Sequence, residues 1–195
     1  MRLSRLNPIF LTALLGVLLL AAPADAARAK RSSTVCQQTQ ATPSAGNLRQ
    51  VERATLCLLN AERSRRGMRD LQVNFRLARA ADRHAADMVE HRYFGHDSRN
   101  GDSFSDRIRA AGYLPRSGSW LVGENLAWGT GSMGSAEKIM KAWMNSPGHR
   151  ANILNARYRE IGIGLIKGSP RGGDGATYAT EFGAVTRSAS ASRRG

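Results

Sequence analysis

The sequence predicts a single α+β domain. Helical periodicity runs through residues 47–148, two alternating strand patterns follow near the C-terminal end, and 195 residues suit one domain with a sizeable core. Hydrophobic residues make up 42% of the chain, as in ordinary globular domains, which excludes global disorder.

From Asn47, an N-cap by residue type, Val51, Thr55, Leu58 and Ala61 recur at helical spacing. Gly67 ends that segment after a basic last turn at Arg63, Arg65 and Arg66. Asn74 caps a second helix whose stripe holds Leu77, Ala81, His84, Met88 and His91, before Tyr93, Phe94 and Gly95. A third, shorter helix begins at Asp102 or Ser103, turns Phe104, Ile108 and Ala111 inward, and stops at Gly112. Residues 120–128 form a weaker strand candidate. Ser135 opens a fourth helix with Ile139 and Trp143 four apart, ended by Pro147 and Gly148. Ile161, Ile163 and Leu165 then alternate with glycines, and after a glycine-rich loop Tyr178, Thr180 and Phe182 alternate in turn. These two runs predict an antiparallel hairpin, on which the helices pack.

Ahead of this lies an export signal. Arg2 and Arg5 precede a mostly apolar run from residue 9 to 22 that spans about 21 Å as a helix, too short for a bilayer core of roughly 30 Å. Ala24, Asp25 and Ala26 give the small-x-small box of a cleavage site, so residues 1–26 are read as a signal peptide and the mature protein has no transmembrane span. The expected compartment is extracellular, cell envelope or periplasm. Cys36 and Cys57, the only cysteines, are then expected to form a disulfide.

The charge is +14, from 29 Lys plus Arg against 15 Asp plus Glu, and removal of Arg2, Arg5 and Asp25 with the leader lowers it to +13. Residues 27–46 and 187–195 lack apolar periodicity and read as a solvated linker and a basic tail. The domain itself spans 47–186. Weak binding to polyanions or an anionic membrane surface is compatible with this charge, whereas export argues against a specific nucleic acid partner.

The string GTGSMG at 129–134 matches G-x-G-x-x-G, but the parallel βαβ context and the distal acid are missing, so it reads as a flexible loop. G-x-S-x-G, H-E-x-x-H and the P-loop are absent. What remains are polar residues at turns around His96, Glu124 and His149.

In order along the chain stand LCLLNAERSRRG, LARAADRHAADM, YFGHDSRNGDSFSDRIRAAGY, VGENLAWG, WMNSPGHRANIL, YREIGIGL and YATEFG. This series resembles the bacterial branch of the CAP superfamily, also called SCP or PR-1-like domains. The resemblance implies an α-β-α sandwich around a small antiparallel sheet, with a cleft of two histidines and two acids that in some members binds zinc or another divalent ion. On the matching positions the histidines are His96 and His149 and the first acid is Glu124. The second acid falls on Ser146, three residues after Trp143, which leaves two imidazoles and one carboxylate. Such a set can hold zinc with an open fourth position.

Two functions follow as expectations. One is an exported binding module for a lipid or cell-envelope ligand. The other is a metal-dependent hydrolase in which His96 and His149 hold the metal and Glu124 ligates or acts as general base, with a Ser146, His149 and Glu124 triad as a weaker form. Asn125 and Asn152 are read as loop fasteners, His84 as a packed histidine, and Trp120, Trp128, Trp143 and Tyr158 as core and cleft wall.

Overall fold

A computed structural model describes residues 36–186; the expected signal peptide, linker residues 27–35 and the basic tail lie outside the described residues. Its elements run α1 (Leu48–Ser64), β1 (Gln72–Val73), α2 (Phe75–Glu90), α3 (Phe104–Ala110), β2 (Ser119–Gly129), α4 (Ala136–Asn145), α5 (Pro147–Ile153), β3 (Glu160–Lys167) and β4 (Ala176–Thr186). The sheet order is β1-β3-β4-β2. β3, β4 and β2 pair antiparallel, giving the expected hairpin, while β1 adds a two-residue parallel edge through Gln72 opposite Glu160 and Val73 opposite Ile161. The sheet is therefore mixed, where the sequence predicts a wholly antiparallel one.

Strand alternation sorts residues to two helical layers. On one face Ile161, Ile163, Leu165, Tyr178 and Phe182 pack with Val51 and Leu59 of α1 and with Ile139 and Trp143 of α4. On the other, Leu126 and Ala179 meet Ala81, Ala85 and Met88 of α2, while Leu77, Ile108 and Tyr113 join α2 to α3. The result is an α-β-α sandwich. The glycines between the β3 isoleucines set its spacing: a Cβ on Gly162 would overlap the Ala78 backbone, and one on Gly164 the backbone of Ala81 and Asp82. Only bare backbone lets α2 lie this close to the sheet.

Several expectations change. The weak strand candidate is an eleven-residue strand, held along its whole length by β4. Pro147 does not simply end α4; it stands in the first turn of α5, where its missing N–H costs nothing. Asn47 makes no cap bond to α1 but accepts from the Ser44 N–H, whereas Asn74 caps α2 and Ser103 closes a capping box with Asp106. His91 falls outside the buried stripe of α2. Arg63, read as part of a basic last turn, is buried and donates to the carbonyls of Arg69, Ile153 and Asn155, tying α1 to the end of α5. Residues 129–134 form a tight 3-10 turn over Gly131–Gly134. Trp120 is 43% exposed beneath Arg109, while Trp143 and Tyr158 are core.

Cys36 and Cys57 are joined, 21 residues apart in sequence. Residues 36–46 are no free linker: Thr39 accepts from the Glu137 N–H, and Ala41 packs on the main core. Among the described residues no helix is long and apolar enough to cross a membrane.

Candidate functional site

Alternation along β2 points Val122, Glu124 and Leu126 toward the α2 layer, so Glu124 is carried beneath it, with no side-chain exposure. A buried carboxylate needs partners, and two elements supply them. The loop leaving α2 brings His96, whose Nδ1 lies 2.7 Å from Oε1. From α3, Arg107 Nη2 donates to Oε2 at 2.6 Å. The ring of His84 stands 3.8 Å from Oε2, with its Nε2 donating to the Gly95 carbonyl at 2.9 Å. Arg107 also fixes the loop that carries His96, donating through Nη1 to His96 O, Ser98 Oγ and Asp102 O.

Burial raises the affinity of Glu124 for a proton, but the His96 hydrogen bond and the charge of Arg107 outweigh it and hold the carboxyl below the usual range. Its hydrogen bond with Glu124 raises His96. Burial lowers His84 despite Glu124 nearby. His84 is therefore a packed, neutral histidine, yet one that touches the site.

His149 sits in the first turn of α5, half-buried, and burial together with the charge of His96 lowers its pKa. Asn125 Nδ2 donates to the His149 carbonyl, and Asn152 Nδ2 donates to Glu124 O and to Asn125 Oδ1. The two asparagines thus fasten α5 to β2, as read from the sequence. Ser146 makes no side-chain cap for α5, and no hydrogen bond joins it to His149, so the triad is not assembled.

Two residues of the site escaped the sequence reading. Arg107 was not singled out in the third helix, yet only 10% of its side chain is exposed. Glu181 stands directly opposite Glu124 on β4, fully buried, and no donor reaches either of its oxygens. Burial, then the charge of Glu124 across the strands, raise Glu181 well above the ordinary carboxylate range. A signal for it was present: with Tyr178, Thr180 and Phe182 assigned to one face, Ala179, Glu181 and Gly183 must share the other.

The expected metal ligands do not fit a metal as they stand. Both Glu124 oxygens already accept from donors, and the Nδ1 of His96 is aimed at the carboxylate. Among the described residues no group of three or more His, Cys, Asp and Glu is arranged to hold a metal ion. A cavity of about 470 Å³ opens beside the network, with Arg83, His84, Asp87, Ser98 and Arg107 in its wall.

Comparison with known proteins identifies the family and the fold. The model of the CAP family, described as the cysteine-rich secretory protein family, matches residues 56–182. YkwD of Bacillus subtilis is 34% identical over 147 residues, which is 75% of this chain and 54% of YkwD. The membrane protein YlbC of the same organism is 32% identical over 114 residues, 58% of this chain and 31% of YlbC. The chain thus spans about half or less of the length of these curated relatives. Among solved structures, an extracellular SCP-domain protein from Bacillus anthracis superposes with a TM-score of 0.56 at 29% identity, covering 73% of this chain and 41% of that one. An outer surface protein from Borrelia burgdorferi superposes at 0.60 with 20% identity, covering 74% of this chain and 98% of that one, a likeness of fold alone.

Proposed function

Because the chain belongs to the CAP family of cysteine-rich secretory proteins, we propose that it is an exported binding module whose cavity beside the His96 and Glu124 network receives a lipid head group or other cell-envelope component. The observation that carries this reading is the cavity of about 470 Å³ that shares His84 and Arg107 with the Glu124 network. Its volume lies in the range of small-ligand sites. Arginines, aspartates and a serine in its wall suit a polar head group or glycan rather than an acyl chain.

Hydrolysis is less well supported. A general base works best when its proton affinity is matched to the reaction, whereas the partners of Glu124, His96 and Arg107, hold its carboxyl below the usual range and make it a weaker base. The disulfide and the expected leader support export, where such a bridge persists. Titration of the mature protein with fluorescent phospholipids and with soluble peptidoglycan fragments tests the proposal. Saturable binding to one of them, weakened in Arg83→Ala in the cavity wall, is the expected result; no saturable binding to either overturns it.

A further inference from the structure

Five large hydrophobic side chains are exposed among the described residues, and three of them, Val73 at 64%, Phe75 at 68% and Trp120 at 43%, lie at one end of the sandwich. The strand register places them there. Gln72, Glu160, Gly183 and Val122 form one cross-strand row, with Val73 one residue from it on β1 and Trp120 two residues from it on β2. Gly162 of β3 backs onto Leu77 and Ala78, so Phe75, at the start of α2, is level with the same row. Guanidiniums stand among these side chains: Arg76 lies over the Phe75 ring at 5.4 Å, and Arg109 over the Trp120 ring at 5.9 Å. Arg79, one turn beyond Phe75, donates to the Ala111 carbonyl at the end of α3 and so joins the two groups.

We propose that this end of the sandwich is a docking face for an anionic lipid membrane, with Val73, Phe75 and Trp120 entering the head-group layer and Arg76, Arg79 and Arg109 against lipid phosphates. Aromatic bodies favour that layer, and a guanidinium fork matches phosphate oxygens. The local acids do not cancel the charge. Glu160 is drawn inward, accepting from Asn74 and Tyr113, while Asp106 engages Arg109 and closes the cap of α3, so Arg76 and Arg79 are left without a carboxylate partner. β4 also ends here, Thr186 opposite Ser119, and the sequence continues through Arg187, Arg193 and Arg194 without an acid. A soluble polyanion would use these arginines but leave the three apolar side chains in water, whereas a bilayer surface uses both. The face shares no residue with the cavity wall, so it stands or falls apart from whatever the cavity receives.

Sedimentation with vesicles of phosphatidylcholine, alone or mixed with phosphatidylglycerol, tests the proposal on the chain without its expected leader. The wild type should bind the mixed vesicles, less so as salt rises, and leave the neutral ones largely unbound. Phe75→Ser with Trp120→Ser should weaken that binding about tenfold or more, and so should Arg76→Gln with Arg79→Gln. Brominated lipid should quench the wild-type tryptophan fluorescence, and this quenching should vanish in Trp120→Phe, which still sediments with the vesicles. Arg83→Ala, in the cavity wall, should bind vesicles as the wild type does. Failure of the wild type to prefer anionic vesicles would overturn the proposal. So would a Phe75→Ser, Trp120→Ser protein that binds as well as the wild type, which would mark the face as a site for polyanions in general. Vesicle binding lost in Arg83→Ala but kept in the two double variants would place the lipid in the cavity and overturn it too. If the serine variant does not fold, Trp120→Phe decides alone: quenching that persists in it overturns the proposal.

Discussion

Glu181→Gln tests the buried carboxyl pair through stability. Glu181 has no solvent exposure and stands across from ionised Glu124, with His84, His96 and Arg107 around the pair. Its folded pKa lies well above that of the unfolded chain, because burial and the Glu124 charge both disfavour a second anion. The folded protein therefore holds a proton that the unfolded chain releases above about pH 4.3, and wild-type stability falls as pH rises from there toward the folded pKa. Glutamine is nearly isosteric and does not titrate. The stability of Glu181→Gln relative to the wild type should thus climb with pH, by up to about 1.4 kcal/mol per pH unit, until the folded pKa of Glu181 is passed. Urea denaturation of both proteins at half-unit steps from pH 4 to 7 measures this directly. A constant difference across that range would refute the assignment of a protonated Glu181, whatever the sign of the offset.

Two further predictions follow from the same network and from the covalent tie. In proton NMR, His96 should titrate above about 6.5, and His84 and His149 below it. The stability His96 contributes is then complete below about pH 6.5 and fades as pH rises past its folded midpoint; three indistinguishable midpoints would contradict this. Replacing Cys36 and Cys57 by serine opens a link between residues 21 apart and should cost about 3 kcal/mol in denaturant unfolding, with the cleft histidines still titrating as in the wild type.

The layers were legible because their causes are local. The Ile161, Ile163, Leu165 alternation, the Asn74 cap and the Gly112 stop each act within a few residues, and all three appear in the structure. Pro147 was misread because the same residue that ends one helix can begin the next, and only the tertiary path of the chain decides between them. The two-residue β1 edge carries too little pattern to be seen. In the site, His96, Glu124 and His149 came from ordered motifs, whereas Arg107 and Glu181 acquire their meaning from Glu124, a partner distant from each of them along the chain. No window of the sequence shows that Glu181 faces Glu124; the strand register does.

The most direct test of the proposed metal-independent binding site is a binding isotherm of the protein with phospholipid and with soluble peptidoglycan fragments, recorded with and without a strong chelator. The proposed function predicts saturable binding that chelation leaves unchanged and that Glu124→Gln weakens, since the carboxylate anchors both Arg107 and His96. Binding that the chelator abolishes and zinc restores would contradict the account.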